Sequence, residues 1–258
     1  TTAEQASRIP LWPAGMAPGD TALPQPQRIV ERSSDAAVPD RYIQSISAPY
    51  MVVYRPARPN GTALLVTPGG GYQRIVLDNE GTSLVPGFVD QAGITLFVLR
   101  YRLPGDGHPN GADVPLADAQ RALRLIRANA TRYGIDAQRV GVMGFSAGGH
   151  VAASLGTRYA AQVYPAVDRA DTLGPEDMDL VVTPLTGFDA AYGRLGMGGG
   201  WYDRSFAFRH RQAPPPWLVG VGFAAQQVPA LPVAAWDVPV DAICTEHATF
   251  LKDDTAPA

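Results

Sequence analysis

The stretch "MGFSAGGH", residues 143–150, decides how this chain is read. Gly144 and Gly148 stand two places to either side of Ser146. Upstream, "RVGVMGF" (139–145) is a short apolar run with β-branched residues, as in a strand buried on both faces. Downstream, "AGGHVAASLG" (147–156) is Ala-rich and suited to a helix. A serine on the sharp turn between strand and helix is strained and exposed, and small residues on both flanks let the two elements come close. A serine hydroxyl is a poor nucleophile until its proton is removed. The stretch therefore marks Ser146 as a candidate nucleophile and asks which of four histidines, His108, His150, His210 or His247, would act as base.

Outward from this stretch the pattern is regular. "YMVVYRP" (50–56), "ALLVTP" (63–68) and "ITLFVLRYR" (94–102) read as further strands. In residues 113–134, Leu116, Ala119, Leu123, Ile126 and Ala130 recur at spacings of three and four, which places them on one helix face. Pro115 suits the first turn of that helix and Gly134 its C-terminal cap. A weaker helix, interrupted by Pro86 and Gly87, is expected over 79–92. Alternating strand, helix and strand predicts an α/β fold with a mostly parallel central sheet flanked by helices. Residues 1–48, rich in Pro and polar groups, read as an extended N-terminal arm, and 49–258 as a single domain. Beyond 156, "DLVVTPLTGF" (179–188), "PPWLVGVGF" (215–223) and "VDAICTE" (240–246) are three more candidate strands. The Gly-, Pro- and Arg-rich segments within 156–215, including "GMGGGW" (196–201), read as long loops or a lid.

Composition narrows the function. With 46% hydrophobic and 17% charged residues a buried core is expected. A net charge of −3 offers no basic field for nucleic acid. Arg121, Arg124 and Arg127 form the nearest thing to a basic stripe, read here as a solvated helix face. Cys244 is the single cysteine, which excludes an intrachain disulfide and a thiolate zinc site, and it reads as a small buried residue. No apolar stretch reaches the roughly 20 residues that cross a bilayer.

The second chemical element is "TPGGGY", residues 67–72, directly after a strand. A tetrahedral oxyanion needs amide donors at about 2.7–3.1 Å, and glycines expose their amides because no Cβ blocks the approach. Gly70 and Gly71, with the amide of Ala147 behind the nucleophile, are the expected oxyanion hole. A phosphate loop would carry Lys followed by Ser or Thr, and neither follows here.

With these residues in place a resemblance becomes specific. "LWPAGMAPGD", "TPGGGY", "VLRYRLPGDG", "PLADAQRALRLIRANATRYGID" and "RVGVMGFSAGGHVAASLGTRY" resemble bacterial α/β-hydrolase esterases of the acetyl-xylan-esterase and feruloyl-esterase type over residues 10–160. The resemblance implies an α/β-hydrolase fold, no cofactor, and hydrolysis of acyl esters on plant polysaccharides or similar small esters. It also implies an exported protein, secreted or periplasmic, with a cytoplasmic one as the alternative. Beyond 160 the chain departs from that pattern, which has an aspartate after the penultimate strand and a histidine after the last. "WLVGVGFAAQQVP" carries no acid after its strand, and Val221 stands where one alignment would put the histidine. The other alignment makes His247 the base and keeps the order Ser, acid, His.

His108 comes before Ser146 and reads as a surface loop residue, His210 as solvated, and His150 as packing beside the turn. The acid is left among Asp237, Asp189 and Asp241, in that order. The leading reading is thus a serine esterase with Ser146, His247 and Asp237 as its triad, acting on a small-molecule or polysaccharide ester. The alternative is a hydrolase-fold protein with an incomplete triad, acting as a binding protein or inactive paralogue. A peptidase or lipase on the same scaffold is a third reading.

Overall fold

The computed structural model describes residues 6–158, 161–172, 180–196, 200–214 and 217–252. The strands are β1 (Ala6–Pro10), β2 (Arg28–Glu31), β3 (Arg41–Gln44), β4 (Tyr50–Tyr54), β5 (Ala63–Thr67), β6 (Ile75–Val76) and β7 (Thr95–Arg100). They continue as β8 (Val140–Gly144), β9 (Leu180–Pro184), β10 (Gly187–Phe188), β11 (Arg194–Leu195), β12 (Trp217–Val221), β13 (Ala242–Cys244) and β14 (Thr249–Leu251). The α-helices are α1 (Val114–Ala128), α2 (Ala130–Tyr133), α3 (Ala147–Thr157) and α4 (Trp201–Ser205).

The main sheet runs β1-β4-β7-β5-β8-β9-β12-β13-β14. From β7 through β13 every pair is parallel, while β1, β4 and β14 pair antiparallel at the two edges. Strands β5, β7 and β8 are buried along their whole length. Their alternation explains why. Leu65, Phe97, Leu99 and Val142 face one core with α1 and α3, whereas Leu64, Val66, Leu96, Val98 and Met143 face a second with Val85 and Val89. A sheet covered on both sides needs apolar residues at successive positions, which is the pattern in the sequence.

The predicted face of the long helix is buried as expected: Leu116, Ala119, Leu123, Ile126 and Ala130 all lie in the core. Gly134 closes α2 in the left-handed conformation, with φ 68°. Residues 79–92 form a 3-10 turn over Thr82–Leu84 and a π-helix over Val85–Gln91 rather than an α-helix, with Pro86 in the first turn. The arginine stripe corrects the expectation. Arg121 is buried, its guanidinium paired with Asp168 and Asp171 and its Nε donating to the Leu11 carbonyl at 2.8 Å. At Arg121 and Arg124 the face read as solvated from α1 alone is covered by residues 161–172, with the N-terminal segment also over Arg121.

That N-terminal segment is extended but closely packed. β1 forms an edge of the main sheet, and β2 and β3 join β6 in a separate three-stranded sheet. Trp12 is fully buried and its indole N–H donates to Asp118 at 3.0 Å. Arg102 donates to Asp118 and to Asp20, and Asp20 is 2.9 Å from Nδ1 of His108. His108 is therefore buried and fastens the arm, not a surface residue as its loop context suggested. The span 156–215 is not loop throughout, since its described parts hold β9, β10, β11 and α4; Met197–Gly199 fall outside the described residues. Cys244 is half-buried at the end of β13.

Candidate active site

Ser146 occupies the turn that the sequence points to. It follows β8 and caps α3 with φ 50° and ψ −120°, a conformation costly for a residue with a Cβ, and its side chain is exposed. The turn is crowded around that serine. An added Cβ on Gly148 would sit 1.9 Å from the Thr67 carbonyl oxygen, and one on Gly144 would sit 2.3 Å from the Gly148 oxygen. Only glycine lets α3, β8 and β5 close to this distance. The Thr67 hydroxyl donates to the Gly148 carbonyl at 2.8 Å, which ties β5 to the start of α3.

The glycine loop meets this turn. Gly70 has φ 139° and Gly71 φ 65°, and a Cβ on Gly70 would lie 2.2 Å from the Arg74 carbonyl oxygen. No described residue accepts a hydrogen bond from the amides of Gly70, Gly71 or Ala147. Three N–H groups, two in the loop and one at the head of α3, are thus left without an acceptor among the described residues.

Three side-chain contacts hold the loop in place, and none of them was read from the sequence. The Tyr101 hydroxyl donates to the Pro68 carbonyl at 2.7 Å. The Tyr72 hydroxyl lies 2.6 Å from Nδ1 of His150 on α3. Glu80 accepts from the Gly69 amide at 2.5 Å. Burial, and then the nearby Arg158, lowers the pKa of His150, while burial raises that of Tyr72. His150 is therefore neutral near pH 7 and shares a hydrogen bond through Nδ1 with the Tyr72 hydroxyl. His150 does pack beside the turn, as expected, and the contact that keeps it there is polar.

The expected base and acid are placed elsewhere. His247 sits on the hairpin between β13 and β14, and 76% of its side-chain surface is exposed. Its Nε2 is 3.6 Å from Glu246, and no hydrogen bond joins it to Ser146. β13 is three strands along the sheet from β8, about 14 Å at the usual interstrand spacing. Asp237 caps its own turn, accepting from the Ala234 amide at 2.8 Å, and does not meet His247. Asp241 lies at the opposite end of the sheet, bonded to the Leu218 amide and to Arg209. Asp189 is buried and accepts from the amides of Ala191, Gly193 and Leu231. Val221 ends β12 half-exposed, and His210 is exposed beside the Trp236 carbonyl. Among the described residues, the glycine loop adjoins the Ser146 turn at Gly69, and no histidine side chain or aspartate is bonded to Ser146.

Sheet order and elbow together make this an α/β-hydrolase-fold protein. A solved structure, the acetyl ester-xyloside bifunctional hydrolase from Caldicellulosiruptor lactoaceticus, shares the fold with a TM-score of 0.51 at 24% identity, over 83% of this chain and 73% of that one. The BD-FAE family model matches residues 51–172. An acetylxylan esterase of Xylanibacter ruminicola is 36% identical over 116 residues, 45% of this chain and 23% of that protein.

The C-terminal half is similar to something else. The 5-formyltetrahydrofolate cyclo-ligase family model matches residues 151–246. The 5-formyltetrahydrofolate cyclo-ligase of Escherichia coli is 42% identical over 82 residues, 31% of this chain and 43% of that protein. The chain spans less than half the length of these two curated relatives. The departure seen beyond residue 160 is thus a change of likeness, and it falls where the acid and the histidine were sought. The two family matches overlap over residues 151–172, which lie between β8 and β9 in the chain.

Proposed function

We propose that the chain is a serine ester hydrolase whose centre lies within residues 51–172. Ser146 attacks the carbonyl of a short, acetyl-type ester, and the amides of Gly70, Gly71 and Ala147 hold the oxyanion as the acyl group passes to the serine. Acyl groups carried on a carbohydrate are the proposed substrates, in keeping with the acetylxylan esterase similar to 116 residues of this chain. One observation carries this reading. An exposed serine in a strained strand-to-helix turn adjoins the glycine loop at Gly69, and the amides of Gly70, Gly71 and Ala147 have no acceptor among the described residues. The test is to incubate wild type and Ser146→Ala with p-nitrophenyl acetate and with an acetylated xylo-oligosaccharide. Release of acetate by wild type alone supports the reading, and equal release by both removes it.

A second reading follows from a separate observation. Residues 151–246 are similar to cyclo-ligases, and no imidazole among the described residues bonds to Ser146. On this reading the serine accepts an acyl group but water does not remove it, and the protein binds esters without turnover. A stoichiometric burst of p-nitrophenol with no steady state separates the two.

A further inference from the structure

Arg74 follows the glycine loop and has no anion to pair with. Its guanidinium lies over the Tyr42 ring, 5.2 Å from the centroid, and its Nε is buried without an acceptor. Among the described residues no group accepts from any of its side-chain N–H donors. A half-buried cation left unpaired costs free energy, and its setting suits an anion that arrives from outside.

Strand register shows what stands around it. In the small sheet Arg28 pairs with Gln44, Val30 with Tyr42, and Tyr42 with Val76. One further step along the antiparallel β3–β6 register brings Arg74 opposite Gln44. Arg28 and Arg74 thus flank Gln44 on the face that carries Tyr42, about 10 Å apart at the usual strand spacing. Ile43 and Ile75 take the other face and are fully buried, so the arginine face is the outer one. Arg28 donates to the side-chain amide oxygen of Gln44, a neutral partner. Arg32 lies over the same Tyr42 ring at 5.7 Å and is paired with Asp40 at 2.5 Å. Glu31 accepts from three backbone amides of its own turn, and Asp78 is paired with Arg41. The charges of Arg28 and Arg74 are left unopposed.

From this arrangement we propose that Arg28 and Arg74 form a subsite for the carboxylate of a uronic acid on the saccharide chain that carries the ester. That this chain also carries the ester rests on the serine reading above. The arginine face and the glycine loop are continuous: the Val76 amide donates to the Gly69 carbonyl at 2.9 Å, and Gly70 packs on the Arg74 carbonyl. The three residues from Gly71 to Arg74 span at most about 10 Å, so one short oligosaccharide reaches both places. The guanidinium fork matches the planar carboxylate and leaves a neutral sugar without a charged partner there. Cation–π contact with Tyr42 holds the Arg74 fork in place before the anion arrives.

The test is calorimetric binding to the full chain carrying Ser146→Ala, so that the result does not depend on turnover. The probes are a xylo-oligosaccharide with one glucuronic acid branch, the neutral oligosaccharide of equal length, and free glucuronate. The acidic oligosaccharide should bind about ten-fold or more tighter than the neutral one, by an advantage that shrinks as salt is added. Arg74→Gln and Arg28→Gln, each added to that chain, should reduce the advantage; Arg28 is exposed, so its variant leaves the fold in place. Equal binding of the two oligosaccharides, or an advantage that survives both substitutions, overturns the proposal and leaves the serine reading intact. Free glucuronate bound as tightly as the acidic oligosaccharide also overturns it, since the face would then hold any small anion. Wild type that releases no acetate, with the acidic advantage still present, removes the serine reading and leaves the arginine subsite standing.

Discussion

The Tyr72 hydroxyl and Nδ1 of His150, 78 positions apart in the chain, lie 2.6 Å from each other. This contact joins the glycine loop to the first turn of α3, so the proposed oxyanion donors and the nucleophile move as one unit. Its energetic asymmetry follows from burial. His150 is held neutral, and protonation would make Nδ1 the donor to Tyr72 and place a charge in a half-buried site.

The stability of the fold should therefore depend on pH through His150. Its folded pKa lies below the ordinary value of 6.5. As pH falls through 6.5 the unfolded chain takes up the proton first, so stability is full above that value and is lost on acidification toward the folded pKa. Urea denaturation between pH 8 and pH 5 should show this decline, and His150→Gln should make the curve flatter. An equal decline in the variant would place the proton uptake elsewhere.

The two loop glycines should differ. A Cβ at Gly70 meets the Arg74 carbonyl oxygen at 2.2 Å, whereas one at Gly71 meets nothing within 4 Å. Gly70→Ala should displace its amide and slow acylation by about a hundred-fold or more, as loss of an oxyanion donor does. Gly71→Ala should cost only the strain of its positive φ, about 1–2 kcal/mol. Equal burst rates for the two variants would count against the loop geometry.

Closeness at the elbow carries a stability consequence. Gly148→Ala would press a methyl group against the Thr67 carbonyl from a distance of 1.9 Å. A loss of about 3 kcal/mol is expected, measured as a lower urea midpoint. Gly196→Ala, where a Cβ would meet nothing within 4 Å, is the control and should change little.

His247→Ala should leave the burst rate with p-nitrophenyl acetate unchanged. The side chain is 76% exposed and bonded to nothing at the serine. A loss of several orders of magnitude would mean that the hairpin closes over Ser146 when substrate binds.

The N-terminal segment should act as part of the core. Trp12 is 1% exposed, donates to Asp118, and stacks edge-on against Tyr164 at 4.9 Å. Trp12→Ala should cost about 3–5 kcal/mol. Calorimetry showing an unchanged melting temperature would mean the arm is dispensable.

How far the sequence reached can be judged residue by residue. The strand-turn-helix around Ser146, the strand before the glycine loop and the apolar face of α1 were legible because each is written in consecutive residues. A period of two or of 3.6, a glycine where the backbone must turn, and a proline in a first turn are local requirements, satisfied or broken within a few positions. The burial of Arg121 and His108 was not legible, because each depends on an acidic partner from a distant segment, Asp168 and Asp171 for one and Asp20 for the other. Chain order favoured His247 as base, but order along the sequence says nothing of where a hairpin points. Tertiary structure alone decided that His247 and Asp237 stand apart from Ser146. The glycine loop and the turn carrying Ser146 are brought together by β5 and β8 pairing side by side, and no local pattern encodes that approach.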